Sequence, residues 1–415
     1  MERVSSNLAT NNSNFYLRRH ERSVADQTDR ITQQTKILEL GDDPSAASRT
    51  VQYDSYLKRL QRYEENTLYA SDHYAQVDGY LQNANEILQH VRELTVQGAT
   101  GTYAPEDLKY MGIEMNEMLK ELITIANATG SEGTKLFAGD KVFTEPFRMV
   151  EGSVPGGNES MVTRVEYRGA GANRTAEISE NTFANLDVGG GEVFWAEKMQ
   201  IFSTYDASNY RVENDASIFV DGQEIFVSPG DTVNSIVAKI NDSPAPVKAY
   251  VDPETRGIAL EGTTAHLIKL EDQQGSTVLQ DLGLINFNSD ANAPNWNPSA
   301  RVSGGSMFDM IIRVRDALFR GDSDFIGSQG IGGMDLALNN MGGKMAEVGA
   351  RMNRVDQTWN RLNEEIPNVT KALDREQGID MATAITDLKM MELAHKAALQ
   401  TTARINQQTL MDFLR

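Results

Sequence analysis

Proline divides this chain. Eight of its eleven prolines lie between Pro146 and Pro298, and outside that window only Pro44, Pro105 and Pro367 occur. Proline removes a backbone donor and is excluded from most helix interiors. Long helices are therefore confined to the two flanks, and the middle is left to strands and turns. The order helix, sheet, helix predicts an α+β fold: a long antiparallel helical bundle or coiled coil formed by both termini, with an inserted, mainly-β central domain. Residues 1–45 are expected as a terminal helix, 46–143 as a helical rod, 144–305 as the β domain, 306–375 as the returning rod and 376–415 as the last terminal helix.

Charge follows the same division. The 415 residues carry 39 Lys+Arg against 59 Asp+Glu, a net charge of -20. Residues 1–62 balance at +2 and residues 307–415 at -2, so the whole -20 sits between them. Near-neutral ends pack against copies of themselves at little repulsive cost, whereas a strongly acidic middle prefers water. So acidic a surface argues against wrapping nucleic acid, which needs Lys and Arg on phosphates. Cysteine is absent, which removes disulfides, thiolate zinc sites and cysteine nucleophiles together. The five histidines, His20, His73, His90, His266 and His395, show no ligand-like spacing. No run approaches the ~18 apolar residues of a membrane helix, and Met1–His20 lacks the apolar core of a secretory signal. No catalytic, cofactor or metal site is expected, and no nucleic-acid or membrane partner: the chain reads as a non-enzyme.

The ends carry narrow apolar stripes. Leu17, Val24, Ile31 and Leu38 recur every seven residues, and the positions four further along, Glu21, Thr28 and Thr35, are polar. Near the other end Ala384, Met391, Ala398 and Ile405 recur at the same interval, beside a second row of Leu388, His395, Thr402 and Thr409. That stripe stops at Asp412, where Leu410, Met411, Phe413 and Leu414 leave the tail apolar without a single face. A coiled-coil seam needs both rows apolar, so each end holds half a seam, and the two halves are expected to cover each other. Such segments cannot offset their ordering entropy alone and are expected to be largely disordered until neighbours supply the missing apolar surface. The residues expected at the assembly interface are Leu17, Val24, Ile31 and Leu38 against Leu388, Met391, Ala398 and Ile405; the alternative is an ordinary amphipathic helix on its own core.

Better-formed helices lie inside these ends. One is expected over Asp72–Gln97 with Val77, Leu81, Ala84, Leu88, Val91 and Thr95 on one face. A second starts at Pro105 and carries Leu108, Met111, Met115, Met118, Leu122 and Ile125. A third spans about Gly333–Glu365 with Leu336, Met341, Met345, Val348, Met352, Val355, Trp359 and Leu362, to be kinked or ended by Pro367. The methionines read as core filler. In the middle, two strands around Asp221-Gly222 predict a type I′ hairpin, followed by an N-capped helix over Asp231–Asn241 and a second hairpin across Asp252-Pro253, a small ββαββ module at about 215–262. The β region is large enough for two subdomains, with a break near Thr204–Arg211. Gly327–Gly333 lacks the order of a nucleotide-binding loop and is expected as a plain loop. Arg320-Gly321-Asp322 needs no more than a helix-terminating glycine.

Several of these segments resemble one family. Lys36–Arg49, with Asp42, Asp43 and Pro44, is similar to the Asp-Asp-Pro signature near the start of bacterial flagellin-like proteins, and Gly378–Lys389 resembles the signature that opens their last helix. Ala346–Arg354, with Gly349, Arg351 and Asn353, resembles their returning bundle helix. Leu136–Phe147 and Gly190–Phe194 resemble motifs of one branch, the hook-associated protein 3 (hook–filament junction) family, and the ββαββ unit resembles the hook-IN insert of many flagellins.

The resemblance implies a structural protein of the bacterial flagellum. Its terminal helices would pair as an inner coiled coil, with a helical rod around them and the β domain facing outward. It would leave the cell through the flagellar type III export channel, self-assemble into a short tubular layer, and have hook-associated protein 1 on one side and flagellin on the other. A flagellar export chaperone is a further implied partner. The alternative within the family is flagellin itself, and external and periplasmic flagella fit equally. Pro44 is expected to break the first helix and the two aspartates to cap the next, since two adjacent carboxylates are too few ligands for a metal.

Overall fold

The computed structural model describes residues 3–39, 41–157, 160–169, 174–286 and 295–413, with backbone alone at 3–10 and 405–413. Three helices come first: α1 (Arg3–Gln33), α2 (Pro44–Ala99) and α3 (Pro105–Ala126). The middle holds β1 (Phe147–Ser153), β2 (Ser160–Tyr167), β3 (Thr175–Ser179), β4 (Thr182–Asn185), the turn α4 (Gly190–Val193), β5 (Gln200–Phe202), β6 (Ala216–Val220), β7 (Gln223–Val227), α5 (Val233–Asp242), β8 (Val247–Val251), β9 (Ile258–Gly262), β10 (Leu270–Asp272), α6 (Val278–Asp281) and β11 (Arg301–Ser303). The chain returns through α7 (Met307–Arg320), the turn α8 (Ser323–Phe325), a π-helical turn (Ile326–Gly330), α9 (Ile331–Gln377) and α10 (Met381–Phe413). This is the α+β arrangement the prolines imply, long helices from both ends with a mainly-β insert between them. Two compact units result, Met1–Glu65 with Trp359–Arg415, and Asn66–Thr358.

Within the larger unit, a helical core forms because each flank presents one apolar face. Val77, Leu81, Ala84, Leu88 and Val91 of α2 are fully buried, together with Thr95, at the 3–4 spacing of one helix side. α3 opens with Pro105, and the Asp107 carboxylate accepts the Ala104 amide at 3.3 Å. It buries Leu108, Met115, Leu119 and Leu122. Met111, Met118 and Ile125 only pack at the margin of this core. On α9 the buried row is Met334, Ala337, Met341, Val348 and Val355; Leu336 and Trp359, expected on that face, point outward.

The glycine-rich segment 327–333 is helical, against the expectation of a loop. Close packing against α7 explains two of its four glycines: a Cβ at Gly333 would lie 2.2 Å from Met310 Cε, and one at Gly330 would lie 3.2 Å from Val314 Cγ2, whereas Gly332 has nothing within 4 Å. α7 itself is capped by Ser306, whose hydroxyl accepts the Asp309 amide at 3.1 Å, and it ends on Gly321 at φ 69.

A second core in the same unit starts at Met199. Ala207 and Val212 belong to it, so the segment 204–211 is part of this core and marks no break. Asp221 and Gly222 both have positive φ, as a type I′ hairpin requires. The two hairpins do not share a sheet: β6–β7 lies in a three-stranded sheet of order β10-β6-β7, and β8–β9 in a four-stranded sheet of order β11-β5-β9-β8. Val233, Ile236 and Ile240 of α5 are buried in the core they share. Thr232 caps α5, while the Asp231 carboxylate is held by Ser235 Oγ (2.8 Å) and Lys239 Nζ (2.5 Å).

Candidate assembly interface

In the smaller unit α1 and α10 pack along each other. Gln27 is buried between them and donates from Nε2 to Ala384 O at 3.2 Å, and Thr35 bridges Gly378 antiparallel. Continued at equal rise, this register sets Val24 beside Leu388 and Leu17 beside His395. Leu17, Val24 and Ile31 are half-buried, as are Leu388, Met391 and Ala398. The second row on α1 lies three residues along, not four: Ser13, His20 and Gln27 turn inward, whereas Glu21 and Thr28 are exposed. The seam is therefore polar along one row of α1, and on α10 the second row is polar at His395 and Thr402 but apolar at Leu388. Leu38 is not on the stripe, because α1 ends at Gln33; it sits half-buried in the connection to α2. The side chains of Ile405 and Thr409 and the tail Leu410–Leu414 lie outside the described residues.

Among the described residues few large apolar side chains support this pair. The cluster of buried residues in the smaller unit is Leu60, Tyr63 and Leu362, joined by Tyr56, Ile366 and Val369. In the purified monomer, amides of α1 and α10 should therefore exchange at least ~100-fold faster than those of residues 77–95 of α2, since local opening is cheapest where apolar contacts are few. Mass-spectrometric hydrogen exchange checks this; equal protection would mean the seam is stable without neighbours.

The signature residues build the connections. Asp43 accepts the amides of Ser45 (3.1 Å) and Ala46 (3.0 Å), so it caps α2, with Pro44 in the first turn where its missing N–H costs nothing. Pro44 thus opens a helix rather than breaking the previous one. Asp42 accepts Leu38 N at 3.0 Å and pairs with Arg30 at 3.2 Å, closing the turn after α1. At the other end Asp380 accepts Ala382 N and Thr383 Oγ1, both at 3.0 Å, and caps α10. A Cβ on Gly378 would lie 2.4 Å from Asp374 O, so only glycine fits the turn between α9 and α10. Lys36 N to Gln377 O (2.8 Å) and Arg49 to Glu376 (2.9 Å) tie the two connections together. α9 runs through Pro367 to Gln377. Pro367 and Asn363 are both exposed, so water can take the carbonyl that the proline leaves free.

These caps predict a pH dependence. The Leu38 and Glu39 amides hold Asp42 below the usual carboxylate range, the Ala46 amide and Ser45 do so for Asp43, and Thr383 and the Ala382 amide for Asp380. A carboxylate whose folded pKa lies below its unfolded value stabilises the fold above the unfolded pKa and ceases to as pH falls through the folded one. Capping is thus complete at neutral pH, and the smaller unit should loosen below about pH 4. Hydrogen exchange of the first turns of α2 and α10, corrected for intrinsic rates, should show it; Asp43→Asn should keep the α2 cap and lose its pH dependence.

The outward side of α10 is the feature that makes this unit a candidate interface. Met390 is 64% exposed and Leu393 69%, and they continue through Thr386, Ala397 and Gln400 on the side away from α1. The corresponding side of α1 carries Phe15, 65% exposed, followed by Arg18, Arg22, Asp26 and Asp29. α10 is thus apolar on two sides, of which α1 covers one.

The remaining signature residues belong to the larger unit. Arg351 donates from Nη1 to Asp187 O at 3.3 Å and pairs with Glu347, while Gly349 is half-buried and Asn353 exposed. Leu136–Phe147 and Gly190–Phe194, far apart in sequence, meet in an aromatic knot that no periodicity could have announced. Phe194 lies 5.3 Å from Phe137, 5.4 Å from Phe147 and 5.6 Å from Phe308, and Phe147 lies 4.9 Å from Tyr167. Gly190 N donates to Phe137 O at 3.0 Å, and a Cβ there would lie 2.8 Å from both that oxygen and Phe147 Cε2. Among the described residues no helix is long and apolar enough to cross a membrane, and no three His, Cys, Asp or Glu side chains cluster as metal ligands.

Comparison with known proteins agrees with this architecture. Residues 4–142 match the bacterial flagellin N-terminal helical region, and residues 331–414 match the C-terminal helical region. A flagellin of Clostridium tyrobutyricum is 20% identical over 408 residues, 98% of this chain and 99% of that protein. Flagellar hook-associated protein 3 of Escherichia coli (strain K12) is 26% identical over 131 residues, 32% of this chain and 41% of that protein, so the match spans less than half of its length. The crystal structure of flagellar hook-associated protein 3 from Legionella pneumophila superposes with a TM-score of 0.48 at 15% identity, covering 78% of this chain and 97% of that one. With both helical regions matched at opposite ends and together spanning more than half of its length, the chain belongs to the bacterial flagellin family.

Proposed function

We propose that this chain is the hook–filament junction adaptor of a bacterial flagellum, a structural protein that self-assembles into a short tubular layer between hook-associated protein 1 and flagellin. The observation that carries self-assembly is the second apolar side of α10, Met390, Leu393 and Ala397, left open while α1 covers the first. A neighbouring copy is the natural cover, because the near-neutral ends repel one another little. On this reading Leu17, Val24, Ile31, Leu388, Met391, Ala398 and Ile405 hold the terminal pair together, and α10's outer side joins one copy to the next. Leu38 braces the turn into α2. Delivery is through the flagellar export channel with help from an export chaperone, and the adaptor turns over no substrate.

The choice of adaptor over filament subunit rests on the aromatic knot, since the two segments that build it are those that resemble the junction branch. The flagellin reading is favoured by the near full-length match to a flagellin. Deleting the gene separates them. An adaptor leaves bare hooks and abundant unpolymerised flagellin in the medium; a filament subunit leaves bare hooks with a major secreted protein missing.

A further inference from the structure

Where the two cores of the larger unit meet, one lysine is held in an unusual setting. The segment between β9 and β10 crosses from the second core towards the first, with Leu267 N donating to Gly191 O at 2.9 Å. Three residues before the end of β10, Lys269 Nζ donates to Gly169 O at 2.5 Å and lies 4.9 Å from the centre of the buried Tyr167 ring. Among the described residues no carboxylate lies within ion-pairing distance of it, although 59 acidic side chains are distributed over this chain. The amine borders a cleft of about 230 Å³, together with Tyr167, Glu192, Gly191, His266 and Leu267. His266 does not compete for it: its ring nitrogens are engaged by Asp221 at 3.0 Å and Thr264 O at 2.9 Å.

We infer that Lys269 is a reactive amine, a site of Nε-acylation by small activated acyl donors such as acyl phosphates that fit the cleft. An ammonium that is half out of water, faces an aromatic ring and has a single neutral oxygen as acceptor is poorly stabilised as a cation. Burial, with Lys141 nearby, pushes Lys269 down to about 8 against the opposing pull of Glu271, Asp221 and Asp140. At pH ~7.5 roughly a quarter of such amines are unprotonated, against about one in a thousand ordinary lysines, a gain near 200-fold. Lower basicity takes part of this back; with the sensitivity that thiols show, the net advantage is about tenfold. In the reaction the Nζ lone pair attacks the acyl carbon and an N–C bond forms. The C–O bond to phosphate breaks, its electron pair leaves with the phosphate, and the surplus amine proton passes to solvent. The product is an uncharged amide, so the cation over Tyr167 is lost at the meeting point of the two cores.

The test is brief labelling of the full-length protein with acetyl phosphate at a series of pH values, read by peptide mass spectrometry. Lys269 should label about tenfold faster than the median lysine at pH ~7.5, with its rate levelling off above pH ~8.5. In urea its rate should fall to that of the others. Lys269→Arg should remove the fast site while leaving the other peptides and the melting midpoint unchanged. Labelling at or below the median rate, a rate still climbing through pH ~9.5, or a fast rate that survives in urea would each overturn the proposal.

Discussion

Leu393→Asp should leave the monomer intact and abolish its self-assembly. The side chain is 69% exposed and lies on the side of α10 away from α1, so little apolar contact is lost in the free chain. The melting midpoint should stay within about 2 °C of the parent, as for surface substitutions generally. In an assembled layer the same position is covered. Burying leucine there contributes about 1.5–3 kcal/mol, and an unpaired carboxylate adds a desolvation cost of several more. Each interface would weaken by at least ~100-fold, and a closed layer repeats that loss at every copy. Leu388→Asp offers the contrast. Leu388 is half-buried in the seam with α1, so its substitution should weaken the smaller unit in the monomer as well. Sedimentation and light scattering report assembly, and circular dichroism reports the monomer. If Leu393→Asp still assembled, the outer side of α10 would not be the docking surface.

Phe194→Ala should be the most damaging single truncation in the larger unit. Phe194 is fully buried and touches three other rings, and its carbonyl accepts the first amide of α7 at 2.9 Å. Phe→Ala in such a site costs about 3–5 kcal/mol through lost transfer energy and the cavity left behind. For a unit of this size that lowers the midpoint by about 10 °C. Phe143, in the neighbouring motif, is 87% exposed, and Phe143→Ala should cost less than ~0.5 kcal/mol. Calorimetry of the two variants compares them directly; similar losses would show that the knot is not what joins α4 and α7 to the bundle.

The features that were legible in the sequence are those with a short-range physical signal. The prolines clustered between Pro146 and Pro298 marked where long helices could not run, although α9 runs through Pro367; the row from Val77 to Val91 marked a buried face, and Asp221-Gly222 marked a turn that needs two positive φ angles. What was hidden depended on long-range neighbours. The inward row of α1 is polar, Ser13, His20 and Gln27, so counting apolar residues pointed to the wrong positions four along. Gln27 faces inward because Ala384 O, more than three hundred residues away, accepts from it. The glycines at 327–333 looked like a loop because only the tertiary contacts of Gly333 with Met310 and of Gly330 with Val314 reveal why those two lack a side chain. The aromatic knot and Lys269 draw on residues scattered from 137 to 308 and follow no period. The outer side of α10 was half-legible: its first stripe was plain, and its second became visible only once α1 was seen to occupy one side.

The most direct test counts copies of this chain in purified flagella sorted by filament length, using isotope-labelled peptide standards. A junction layer has a fixed circumference and height, so the number of copies per flagellum should stay constant as the filament grows. A count that rises in proportion to length would contradict the adaptor assignment and make this chain the filament subunit.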